Sequence, residues 1–362
     1  MHESKKHHFE VLDGLRGVAA IVVLAVHALD PFELAYLVPH ARLAVDFFFV
    51  LSGFVICYAY EQQLLCNMTT GGFIRVRLIR LYPLFLFALS CGFVVFVVRF
   101  FFKSGALDIN SIIAFVLGIF LIPTSLVHNE GWNTAFPFNS PSWSLFFELF
   151  INLIYALVIQ RLSRRSLLAI LLISGAVVVG QAYMMGGVIG GENWDNFVFG
   201  LGRVFFPFFC GVFLFRWYRA HPDVGFSLSS FFLAIILVAT FACPVSRFGW
   251  VFESVIVLTV FPLLVIGGAL SKPGPKTSAI YLFLGRLSYP LYILHYPVIR
   301  VFSFLARALA LDDGKIWMLV AVEMICIVLF SIVVMEVFDE PVRKWLTART
   351  RHSNHVPIGL LG

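Results

Sequence analysis

Runs of about 20 apolar residues, the length an α-helix needs to cross the hydrocarbon core of a bilayer, recur along this chain and rule out most folds at once. Eleven such segments fall near 12–30, 43–60, 81–102, 110–127, 143–161, 166–189, 198–217, 227–243, 249–270, 286–308 and 315–338. With 60% hydrophobic and only 13% charged residues over 362 positions, the chain has too little polar surface for a soluble protein of this size. A backbone in lipid must satisfy its own hydrogen bonds, so the fold class is an all-α polytopic membrane protein.

The basic loops decide how many segments cross. Lys5/Lys6, Arg75/Arg77/Arg80, Arg161/Arg164/Arg165, Arg216/Arg219, Lys272/Lys276 and Arg343/Lys344/Arg349/Arg351 lie between or beyond the apolar runs. Such clusters belong on the cytoplasmic side. They all fall there if 110–127 does not span, which predicts ten spans with both termini cytoplasmic. Residues 103–142 then form a long outer connection between the third and fourth spans. It contains "HNEGWNTAFPFNSPS" (128–142) and is expected to be partly re-entrant, which implies a protein-lined cavity. The net charge of +6 marks topology rather than a nucleic-acid footprint. One transmembrane domain, 1–346, and a cytoplasmic C-terminal tail, 347–362, complete the expected organisation. No small-residue cleavage site follows the first apolar run, so the first helix is read as uncleaved.

Polar residues inside apolar helices are costly and commonly functional. "GLRGVAAIVVLAVHAL" (14–29) carries Arg16 and His27. Eleven residues of α-helix return to nearly the same face about 16 Å further along. Arg16 and His27 therefore share one stripe, the arginine at the cytoplasmic end and the histidine in the outer third. Counting from segment ends places Asp46 and Glu148 at the level of His27, with Glu253 and Glu323 at similar depth. Arg16, Arg77, Arg80 and Arg286 gather at the inner mouth. Two layers are thus expected: guanidinium groups suited to phosphates, and an imidazole–carboxylate layer suited to proton transfer. A plainer reading stays open, in which the acids pair with other buried polar groups and Arg75 only marks topology. The six scattered cysteines signal neither a disulfide framework nor a zinc site, and no metal is implied. No internal repeat of the kind transporters show is present.

In this order, "LDGLRGVAAIVVLAVHA", "VDFFFVLSGF", "RLIRLYP", "SPSWSLFFE", "LGRLSYPLYILHYPV" and "DEPVRKWL" resemble the motifs of the acyltransferase family 3 membrane proteins, over nearly the whole chain. The family's first helix carries Arg, ten residues, then His; here these are Arg16 and His27. The other motifs fall on Arg77 and Arg80, on Ser142, Trp143 and Glu148, and on His295. Where the family often has two acids after Ser-Trp-Ser-Leu, this chain has Phe147-Glu148. The resemblance implies transfer of an acyl group, commonly acetyl, from cytoplasmic acyl-CoA to an acceptor, often a sugar hydroxyl, at or beyond the membrane. Some members carry an additional hydrolase-like domain after the last helix, and none is found before Gly362.

Coenzyme A is phosphate-rich at one end and carries its thioester on a long arm, which suits the stripe from Arg16 to His27. The expected site is therefore His27 as base, Glu148 and Asp46 as supporting acids, and Arg16, Arg77 and Arg80 on the donor phosphates. Ser142, Trp143 and His295 are further candidates. The expected partners are acyl-CoA, a glycan or lipid-linked glycan acceptor and the lipids of a bacterial inner membrane, with no nucleic acid. Two alternatives remain open at this point: acylation of a small lipophilic molecule, and proton-coupled transport.

Overall fold

The apolar segments are helices in a computed structural model of the chain, which describes residues 8–103, 107–127, 134–222, 224, 227–309 and 313–353. They are α1 (Glu10–Leu29), α2 (Ala44–Cys66), α3 (Thr70–Lys103), α4 (Ile109–Ile119), α5 (Ser142–Val158), α6 (Arg164–Met185), α7 (Gly200–Ala220), α8 (Ser230–Ala242), α9 (Gly249–Val255), α10 (Phe261–Leu270), α11 (Pro275–Leu309), α12 (Asp313–Val334) and α13 (Glu340–Ser353). Among the described residues the only β contact is an isolated bridge between Thr134 and Asn193.

A π turn, Ile256–Val260, joins α9 to α10 just before Pro262, which has no N–H to donate. A second, Met335–Asp339, joins α12 to α13. Among the described residues, eight helical spans are long and apolar enough to cross a bilayer. α4 and α8 are apolar but only 11 and 13 residues long. At 1.5 Å per residue α4 covers about 16 Å, roughly half of the hydrocarbon core. α13 continues to Ser353, past the expected boundary at 346, and residues 354–362 lie outside the described part.

The chain divides into two compact units, the first made of residues 1–61, 161–191 and 196–292, the second of 62–160, 192–195 and 293–362. In the first, α1 packs on α8 and α10, and α6 on α7 and α9. α2 and α7 run in the same direction and meet backbone to backbone. A Cβ on Gly53 would collide with the Phe208 carbonyl, and one on Gly211 with the Val50 carbonyl, so only glycine permits this approach.

In the second unit α3 and α5 run antiparallel. Gln160 donates to the Leu64 carbonyl at 2.8 Å, Thr70 lies opposite Ala156, and Gly92 lies against Phe138. α4 folds back along the apolar part of α3. Phe115 stacks on Phe93 with ring centres 4.2 Å apart, and the Tyr82 hydroxyl donates to the Ile119 carbonyl. Ala135, Phe136 and Phe138 are buried, and Thr124 N–H is satisfied by the Ala135 carbonyl at 3.0 Å. Residues 128–133 of this connection lie outside the described part.

Candidate active site

In the first unit, Arg16 sits two turns into α1. Its Nε donates to Ser288 Oγ at 2.9 Å, and its Nη2 donates to the Gly285 carbonyl at 2.8 Å and pairs with Asp13 at 2.7 Å. The contact with "LGRLS" on α11 therefore fixes the guanidinium, and its side chain stays 25% exposed. Ser288 Oγ is itself anchored, donating to the Gly285 carbonyl at 2.7 Å. His27 is half-buried three turns further along the same helix. Ahead of α1, His8 lies 2.5 Å from Asp13, and this hydrogen bond raises its pKa above the ordinary histidine value while partial burial works against the rise.

Asp46 is completely buried in the first turn of α2. Its oxygens accept from Arg203 Nη2 at 2.7 Å and Nε at 3.3 Å. Arg203, equally buried in α7, also donates to the carbonyls of Gly190 and Arg42 at 2.9 and 3.0 Å. This two-pronged pair locks α2 to α7 where both helices begin. Arg203 has no charged neighbour in sequence to mark it; its one signal is a cation five residues into the apolar run 198–217, well apart from the basic cluster Arg216/Arg219.

In the second unit, Glu148 faces Arg77 at 2.7 Å, with the arginine 5% and the acid 25% exposed. The two-layer expectation fails for these residues, because a member of the supposed inner layer touches a member of the supposed outer one. α3 begins at Thr70, eleven residues before the apolar run at 81, so Arg77 lies two turns inside a helix rather than at its mouth. Arg80 is half-buried, within electrostatic reach of Asp339, which pairs with Arg343 at 2.8 Å. Arg75 is exposed.

Ser142 opens α5 with its Oγ buried and unmatched by any hydrogen bond among the described residues. Asn139, three residues earlier, donates to the Ile293 carbonyl at 3.1 Å, close in sequence to the fully buried His295. Trp143 is 6% exposed and packs edge-on against Phe147.

A family profile described as "Acyltransferase domain", that of acyltransferase family 3, matches residues 9–336, nearly the whole chain. The chain belongs to acyltransferase family 3. It is thus a membrane-embedded acyltransferase, a transferase of groups other than aminoacyl. "Protein 2 in picA locus" of Rhizobium radiobacter is 33% identical to it over 194 residues, 49% of this chain and 97% of that protein. No solved structure matches. The matched region covers every candidate residue above, from Arg16 to His295.

Proposed function

We propose that this acyltransferase moves an acetyl group from cytoplasmic acetyl-CoA to a hydroxyl of a cell-envelope or exported glycan in a bacterial inner membrane. The observation that carries this reading is the first helix. Arg16, held in place by Ser288 and the Gly285 carbonyl yet still partly exposed, stands about 16 Å from His27 on one stripe. Arg16 binds donor phosphate through the part of its guanidinium that stays exposed. His27 takes the acceptor proton as the hydroxyl attacks the thioester carbonyl, and the thiolate of coenzyme A leaves. Asp46, committed to Arg203, holds the scaffold. Ten spans with both termini inside remain the favoured topology. They are supported by the parallel run of α2 and α7, with Asp46 on Arg203 at one end and Glu61 on Arg216 at the other, and by the antiparallel run of α3 and α5.

The test supplies labelled acetyl-CoA to membranes carrying the protein and follows label into envelope glycans by mass analysis. His27→Ala should lower transfer by about 10² to 10⁴ while inserting normally. Wild-type turnover in that variant refutes the assignment. Label recovered in a small lipophilic molecule instead of glycan replaces the acceptor class.

A further inference from the structure

The connection from α1 to α2 winds through three short 3₁₀ turns, Asp30–Phe32, Ala35–Leu37 and Ala41–Leu43, and carries two side chains with no part in the reading above. His40 and Arg42 converge on Glu253, in the second turn of α9, across more than 200 residues of sequence. Glu253 Oε1 accepts from His40 Nδ1 at 2.7 Å and from Arg42 Nη2 at 2.5 Å. Oε2 accepts from the Val188 N–H at 2.7 Å. Arg42 Nη1 donates to the Pro39 carbonyl at 3.0 Å. His40 and Glu253 are each 2% exposed, whereas Arg42 is 37% exposed.

A carboxylate only accepts, so the proton of a neutral imidazole here sits on Nδ1, and Nε2 is left as a basic lone pair. That Nε2 is buried with no hydrogen-bond partner among the described residues. The Nε–H of Arg42 is buried and unmatched in the same way. One carboxylate thus anchors an unmatched acceptor and an unmatched donor. Buried polar groups are almost always matched, and a hydroxyl is the simple group that can donate to the first and accept from the second.

The surroundings fit a small polar group against an apolar wall. The Phe252 ring lies 4.9 Å from the imidazole, tilted by 49°. The cover is the segment 186–191, whose Gly186, Gly190 and Gly191 have φ of 74°, 125° and 103°. A Cβ on Gly187 would come within 2.7 Å of Glu253 Oε2 and 2.8 Å of Arg42 Nη2, so the cover closes on the cluster only because no side chain intervenes.

We propose that His40, Arg42 and Glu253 form an acceptor subsite for a polyhydroxy compound such as a sugar, with His40 Nε2 accepting from a substrate hydroxyl and Arg42 Nε donating to one. This rests on the proposed reading of a hydroxyl acceptor. Glu253 is a positioning residue that sets the tautomer of His40, as a carboxylate does in other His–acid pairs.

His40→Asn separates this role from a structural one. The asparagine amide can still donate to Glu253 from near the Nδ1 position but has nothing at Nε2. The full-length protein in membranes, given acetyl-labelled acetyl-CoA and its native membrane glycans, should keep its melting temperature and its affinity for acetyl-CoA. Transfer to hydroxyls should fall at least tenfold. His40→Gln, which brings an amide oxygen near the Nε2 position, should recover part of that loss. Wild-type transfer in His40→Asn overturns the subsite, and so does a joint loss of melting temperature and donor affinity. If His40→Asn does not fold, a folded His40→Gln lacking transfer overturns it equally. Failure of the wild-type protein to acylate any hydroxyl sinks the functional reading and the subsite together. Transfer that survives His40→Asn but not His27→Ala sinks the subsite alone.

Discussion

Removing one partner of the Asp46–Arg203 pair should cost more stability than removing both. Arg203→Met strands a carboxylate with 0% exposure and takes the donors away from the Gly190 and Arg42 carbonyls. Breaking a buried ion pair by deleting one side costs roughly 3 to 5 kcal/mol, and each lost hydrogen bond adds about 1 kcal/mol. Arg203→Met alone should therefore lose roughly 5 to 7 kcal/mol. Adding Asp46→Leu removes the stranded charge but leaves the two carbonyls without their donors, so the double variant should stand only ~2 kcal/mol below wild type. The double variant should thus be roughly 3 to 5 kcal/mol more stable than Arg203→Met alone, the non-additivity expected of residues in direct contact. Denaturant unfolding in detergent, combined with acyl transfer by the folded fraction, measures both quantities. The folded double variant should retain turnover, since Asp46 is assigned to the scaffold. A double variant that is stable yet depleted a hundredfold in transfer would put Asp46 in the chemistry and refute the argument. Arg203→Met within 1 kcal/mol of wild type would show that the pair does not hold α2 on α7.

Glu148→Gln removes the charge opposite Arg77, 2.7 Å away, and leaves a guanidinium that is only 5% exposed without its counter-ion, so it should lower stability by roughly 1.5 to 3 kcal/mol in denaturant unfolding. Unchanged stability with lost turnover would give Glu148 a part in the chemistry instead of a structural one. The His8–Asp13 contact should depend on pH. Because the pKa of His8 is raised in the folded chain, its stabilisation is full below the ordinary value of 6.5 and is lost as pH rises through the raised value. An imidazole NMR titration should place His8 above that value and return it there in Asp13→Asn; an unchanged midpoint contradicts the contact.

Much of the candidate site was legible because it lies within single helices. The spacing of Arg16 and His27 is a property of one α-helix, and the order of motifs from "LDGLRG" to "DEPVRKWL" needs no tertiary information. The partners of the charged groups were not legible in the same way. Depth counted from apolar runs fails where a helix extends beyond its run. α3 starts at Thr70 rather than near 81, and that alone moved Arg77 from the supposed mouth to a contact with Glu148.

The amino-acid sequence by itself determined the all-helical membrane fold, the family and the stripe on α1, because hydrophobic length and helical period act locally. Only the tertiary structure decided which cation meets which acid: Asp46 with Arg203, Glu148 with Arg77, and Glu253 with His40 and Arg42. These pairs join residues 157, 71 and more than 200 positions apart. Each buried acid has several cations at compatible depth, and hydropathy carries no information about which helix stands beside which. The choice falls to close packing, such as the glycine contacts at Gly53 and Gly211 that set α2 on α7 and bring Arg203 to Asp46.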